Sequence, residues 1–197
     1  MHREVNENMN IIFKKMNFDK SLQYFLKDKN YYKKNDCHMN SYSMFYDRNY
    51  EEVEHRKSNF SYVTGLIMFK KGEKKYCVVH SWVEDRGMVI DTTSLANSKL
   101  ACCTCPSEKL ISESKKIIND YISYVPYFVI SNADLTIKTQ ELYIGSNFIH
   151  EKFAKGIETY LQSICDSVAN DSIFLCSIRE KYGYEFKQNN FIIGINS

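Results

Sequence analysis

The sequence predicts an α+β fold in a single domain spanning 1–197. Three observations carry this. Apolar residues recur at helical spacing towards both ends of the chain. Between them, Tyr62–Thr93 reads as β-type apolar runs broken by short turns that hold glycine. The order is helices, then strands, then helices, which segregates the two kinds of element rather than alternating them. A length of 197 residues is that of one domain, and an apolar content of 44% supplies its core.

Val5, Met9, Ile12 and Met16 predict an amphipathic helix over 3–17, and Leu22, Phe25 and Leu26 a second, shorter one. Lys27–Asp36 is polar and reads as a loop. Asp36 is a good N-cap, so a helix is expected from Asp36 or Cys37 to about His55, with Tyr42, Met44 and Phe45 on its buried side. Tyr62–Lys70, Lys75–Glu84 and Met88–Thr93 predict an antiparallel three-strand meander. Its turns are Lys70-Lys71-Gly72-Glu73-Lys74 and Asp85-Arg86-Gly87. Leu95–Pro106 reads as irregular. Ser107–Ile122 reads as a helix capped by Ser107. Tyr124–Ile130 reads as a strand that Pro126 assigns to an edge or bend. Ser131 or Asn132 would cap a short helix over 133–143. Phe153, Ile157, Tyr160, Leu161, Ile164 and Val168 predict a long helix over 147–169, and Phe191–Ile195 a last strand.

Several function classes are disfavoured. Lys and Arg number 26 against 24 Asp and Glu, a net charge of +2, which gives no case for a nucleic-acid partner. No run approaches the ~18 apolar residues of a membrane span, and the opening Met1-His2-Arg3-Glu4 is not that of a secretory signal. The seven glycines are scattered singly, so no phosphate-cradling loop exists. Seven cysteines, an odd number, point to free thiols in a reducing compartment. Cys77, Cys165 and Cys176 lie in apolar segments and read as small buried hydrophobes. Cys102, Cys103 and Cys105 suggest zinc, but their spacing is too tight for the usual paired knuckle and no second pair follows. The expectation is a cytoplasmic monomer without metal, cofactor, nucleic-acid or membrane partner.

Three residues carry the chemistry. Cys37 stands at a predicted helix start. There the helix dipole and unpaired backbone N–H groups favour a thiolate and can stabilise an oxyanion. His80 stands in the apolar strand Val78-Val79-His80-Ser81-Trp82, where an imidazole needs a polar partner. Asp91 stands on the next strand. A two-residue Asp85-Arg86 turn sets His80 opposite Asp91 on one sheet face, and a three-residue turn sets Asp91 opposite Ser81. Each residue alone has an ordinary structural role; the ordered set suggests nucleophile, base and orienting group. Asn40 shares a helix face with Cys37 and would orient substrate or tie the helix start to the preceding loop. Trp82 would wall the site or pack the core. His38 points about 100° away from Cys37 on a helix and reads as a surface or supporting residue.

Cys37-His38-Met39-Asn40, Tyr62-Val63-Thr64-Gly65, His80-Ser81-Trp82-Val83 and Val89-Ile90-Asp91-Thr92-Thr93 resemble the papain-like/transglutaminase-like cysteine enzyme superfamily. The closest pattern is that of small bacterial and phage proteins carrying C-H-x-N, H-A-W and D-P-T motifs. The resemblance covers roughly Asp36–Ser94. It implies a catalytic helix packed on an antiparallel sheet, with Cys37 as nucleophile, His80 as base and Asp91 as orienter. Ser81 and Thr92 depart from the pattern without changing a catalytic atom. Tyr31 stands where papain-like enzymes carry the oxyanion glutamine; Asn30, Asn35 and the Cys37 backbone N–H are the nearby alternatives. The function implied is that of a cysteine hydrolase or acyltransferase acting on a peptide, protein or small amide or thioester, in a bacterium, a phage-infected cell or a host cell. The rival expectation is a non-catalytic protein that binds a host protein on the same scaffold.

Overall fold

The computed structural model describes residues 11–28, 30–52 and 59–188. It is an α+β structure. Strands β1 (Phe60–Lys71), β2 (Lys74–Asp85) and β3 (Met88–Ile90) form the expected antiparallel meander, and β4 (Ile122–Ser131) runs antiparallel beside β1. The order is β3-β2-β1-β4, and a short β5 (Glu185–Phe186) pairs parallel with Tyr76-Cys77 of β2. Around the sheet lie α1 (Phe18–Lys27), α2 (Cys37–Glu52), α3 (Thr92–Ala96), α4 (Glu108–Tyr121), α5 (Asn132–Gly145), α6 (His150–Ala169) and α7 (Ser172–Tyr182).

Turn chemistry sets the register. Gly72 opens the β1–β2 turn at φ 61°, the position where a II′ turn wants glycine, and pairs Thr64 with Ser81 and Gly65 with His80. The β2–β3 turn is Arg86-Gly87, with both residues at positive φ (51° and 80°), as in a I′ turn. It pairs Glu84 with Val89 and Val83 with Ile90. Both registers expected from the sequence are thereby corrected. Neither an Asp85-Arg86 turn nor a three-residue turn forms, and Asp91 stands past the end of β3 instead of opposite His80 or Ser81. Met88–Thr93 is likewise not one strand, because Asp91 caps α3 with its side chain, accepting from the Thr93 and Ser94 N–H groups.

Antiparallel sheets often leave one face to solvent. Here the central residues of β1 and β2 are buried on both faces, which is why the two strands read as continuous apolar runs. On one face Val63, Ile67, Val78, Trp82 and Tyr124 pack with Phe18, Phe25, Leu95, Leu100 and Ile118 from α1, α3, α4 and the loop after α3. On the other, Leu66, Cys77, Val79 and Val125 meet Cys165, Val168, Phe174 and Ile178 of α6 and α7. Tyr62 and Val83 meet Tyr42, Met44, Leu135, Ile157 and Leu161 of α2, α5 and α6. A bulge at Tyr127 lets β4 close on β1: Thr64 pairs Phe128 and Gly65 pairs Pro126. A Cβ at Gly65 would stand 2.1 Å from the Val125 carbonyl oxygen, so only glycine fits that approach.

The sheet is curled. Lys14 bridges Tyr124 on the outer edge of β4, and Met16 bridges Val89 on the outer edge of β3. Two residues span at most ~7 Å, whereas those edge positions would lie ~25 Å apart on a flat sheet. The strap over 14–16 thus joins the two edges across the first core. This corrects the helix expected over 3–17 as far as residues 11–17 go, since they are extended; the earlier part lies outside the described residues. Leu95–Pro106 is also more regular than expected, holding the end of α3 and a 3-10 turn at Lys99–Cys102. The sequence reading missed α7 and β5. The expected strand over 191–195, the end of the helix expected to His55 and the side chain of Phe45 lie outside the described residues. No described helix is long and apolar enough to cross a membrane.

Candidate active site

Along its outer edge β2 pairs with β5 at Tyr76-Cys77 and with β3 at Val83–Asp85, leaving 78–82 without a strand partner. The first turn of α2 fills this gap. Ser41 Oγ donates to the Ser81 carbonyl at 2.9 Å. The helix opens where expected: the Asn40 N–H donates to the Asp36 carbonyl at 2.9 Å, and the N–H groups of Cys37, His38 and Met39 precede this first intrahelical donor. Cys37 therefore stands at the sheet edge, 8% exposed, with one face of β2 on either side.

From the first face comes His80, 4% exposed. Its Nε2 lies 2.8 Å from Asp91 Oδ2, so the pair expected across a register forms instead between a strand and a helix cap. Asp91 is buried and saturated. Oδ1 accepts from the Thr93 and Ser94 N–H groups, and Oδ2 from Ser94 Oγ at 2.5 Å and Tyr124 Oη at 2.8 Å as well as from His80. Ser21 Oγ of α1 accepts from the Asp91 N–H. Burial works to raise the Asp91 pKa, but His80 and these donors hold it below the ordinary carboxylate value. Asp91 takes Nε2, and Cys37 acts on the His80 ring as a nearby charge. Burial would strip the His80 proton; the charges of Asp91 and then Cys37 outweigh it and raise the imidazole to about 10. Trp82 stacks on His80 with ring centres 6.4 Å apart, and Tyr124, 6.2 Å from His80 and 5.2 Å from Trp82, joins it on the same side, so one wall of the imidazole is aromatic.

From the second face comes a group the sequence reading had set aside. The His38 ring lies 3.7 Å (Nδ1) and 3.6 Å (Nε2) from Cys37 Sγ. It also lies 2.8 Å from Ser81 Oγ and 3.1–3.3 Å from Cys165 Sγ of α6. Ser81 Oγ in turn accepts from Tyr62 Oη at 3.0 Å and lies 2.8 Å from Thr64 Oγ1. Burial opposes protonation of His38, but the Cys37 charge and hydrogen bonds with Cys165 and Cys37 raise its pKa to about 11.

Burial would also push the Cys37 thiol up. The charges of His38 and then His80, with hydrogen bonds from both, reverse this and lower it from 9.0 to about 5. These shifts all favour a thiolate beside two protonated imidazoles, one of them backed by a carboxylate.

The remaining candidates fall outside this centre. Asn40 uses its amide on the loop before α2. Its Oδ1 accepts from the Lys33 N–H, and its Nδ2 donates to the Lys33 carbonyl and to Thr93 Oγ1, so it ties the helix start down. Trp82 is fully buried and donates Nε1–H to Glu84. Asn35 is exposed at φ 58°, its N–H bonded to Asn97 Oδ1. Tyr31 is 67% exposed. Among the described residues no group of three or more His, Cys, Asp or Glu side chains is arranged to hold a metal ion.

No family model, curated protein or solved structure matches the chain.

Proposed function

We propose that the chain is a cysteine hydrolase or acyltransferase of papain-like type, acting on an amide or thioester carbonyl through Cys37, His80 and Asp91. The observation that carries this reading is the 2.8 Å bond from His80 Nε2 to Asp91 Oδ2 beside a thiol whose pKa is lowered to about 5. The Cys37 thiolate attacks the carbonyl carbon and the carbonyl π pair moves to oxygen. Free N–H groups in the first turn of α2, Cys37's own among them, face the developing oxyanion. His80 gives its proton to the leaving amine or thiol as the C–N or C–S bond breaks, leaving a thioester on Cys37. It then takes a proton from water or an acceptor amine that attacks the thioester. Asp91 holds the tautomer and stabilises the cationic form throughout.

A panel of amide, thioester and glutamine-containing probes, read by intact mass, tests this. A transient acyl adduct on Cys37, absent in Cys37→Ser, supports it. One observation favours a second reading, a binding protein on the same scaffold: the thiol is only 8% exposed. No adduct from any probe, with a Cys37 no more reactive than the exposed Cys102 and Cys105, would decide for the binder.

A further inference from the structure

We propose that His38 is the residue that holds the Cys37 thiolate, leaving His80 to move the proton. This rests on the enzyme reading above and divides its work between two imidazoles.

The geometry separates the roles. His80 has one nitrogen on Asp91 and feels the charge of the nearby thiol, the arrangement of a base that exchanges a proton with its neighbour. His38 is built to stay put. As an imidazolium its Nδ1–H donates to Ser81 Oγ at 2.8 Å. Ser81 Oγ then accepts from His38 and Tyr62 and donates to Thr64, which uses its full capacity of two lone pairs and one proton. On α6, the Cys165 thiol is turned away, 3.0 Å from the Leu161 carbonyl that accepts its proton, so its sulfur meets the ring as an acceptor. Both sulfurs lie about equally far from the two ring nitrogens, Cys165 at 3.1 and 3.3 Å and Cys37 at 3.7 and 3.6 Å, so they face the charge of the ring as a whole rather than one N–H. The titratable groups facing His38 are Cys37 from α2, Tyr62 from β1 and Cys165 from α6, and none is a carboxylate. Its positive charge has no anionic partner among them except the thiolate.

In the attack the electron pair of Cys37 Sγ forms the S–C bond, and the proton delivered to the leaving group comes from His80. His38 keeps both its protons. It lowers the energy of the thiolate beforehand and receives it again on deacylation.

The test is the pH–rate profile of iodoacetamide alkylation at Cys37, resolved by peptide mapping. Wild type, His38→Ala, His38→Gln and His80→Ala are compared. His38→Gln keeps a donor for Ser81 without the charge and so separates charge from fold. Both His38 variants should lose tenfold or more in rate at pH 6, with the alkaline plateau retained; His80→Ala should lose less. Imidazole nitrogen shifts in the unsubstituted protein give a readout that needs no variant, and His38 should carry both protons at pH 7–9. The proposal is overturned if His38 is singly protonated at pH 7, or if His38→Gln alkylates at pH 6 as wild type does while His80→Ala does not; the triad reading would survive both. An ordinary thiol profile in wild type would instead overturn the enzyme reading and this one with it.

Discussion

Cys37 is approached from both faces of one strand, and the two faces treat it differently. His80 comes through an aromatic wall and is backed by a carboxylate with five donors. His38 comes through a network of neutral hydroxyls and a thiol. On the proposed reading the proton on His80 is held chiefly by Asp91, whereas the proton on His38 depends on the thiolate. One strand edge thus presents a durable acid–base group and a conditional counter-charge to the same sulfur. That combination suits a nucleophile which is an anion before attack and a neutral thioester afterwards.

The largest expected effect breaks the comparison outright. Cys37→Ala removes the anion, so His38 should become neutral at pH 7 while His80 stays protonated, as imidazole nitrogen shifts would report. Turnover of any probe should fall to background with the fold retained, because removing a single sulfur atom leaves little cavity. Asp91→Asn attacks the other side. An amide at this site turns a donor towards at least one of five donors, so His80 loses its orienting partner. Turnover should drop by about 10⁴-fold, the scale set by the serine-protease Asp→Asn case, and stability should fall by about 1–3 kcal/mol.

A subtler expectation concerns stability against pH. Cys37 is lowered from 9.0 to about 5, so its contribution is complete above pH 9 and is lost as the pH falls towards 5. His38, whose proton depends on the thiolate, is raised from 6.5 to about 11, so its contribution is complete below pH 6.5 and is lost as the pH rises towards 11. Between 6.5 and 9 folding moves a proton from thiol to imidazole without net uptake, and the contribution of this pair is flat. Denaturant midpoints for wild type minus Cys37→Ala should show that plateau with falls on both sides. The smallest effect is that of Tyr124→Phe. It removes one of the donors to Asp91 and should cost about 1 kcal/mol in a denaturant titration, leaving Cys37 alkylation unchanged at neutral pH.

Much of the fold was legible. Glycine in the turns, apolar runs and the Ser107 and Ser131 caps marked the meander, α4, β4 and α5 near their true places. Cys37 at the head of α2 and His80 on β2 followed from local chemistry. The register did not, because Arg86 accepts a positive φ that residue preference disfavours. Asp91 therefore meets His80 as a helix cap rather than as a strand partner. His38 was set aside on helical spacing, which is sound along a helix but not at its first turn. There the helix end abuts a strand edge, and adjacent side chains pass to opposite faces. One signal for the second face was present. The Gly72-Glu73 turn fixes Thr64 opposite Ser81, which locates a hydroxyl pair beside the expected site. Cys165 arrives from α6, far along the chain, and no local pattern announces it. Residues 11–17 carry helical periodicity yet run extended, since joining the two sheet edges satisfies their backbone and buries Met16.

The central claim is that Cys37 is a thiolate at neutral pH, held between two charged imidazoles. Ultraviolet thiolate absorbance of wild type minus Cys37→Ala, followed across pH in the intact protein, measures it directly. The account predicts a transition centred near pH 5. A transition centred at about 8.5, the ordinary thiol value, would contradict it.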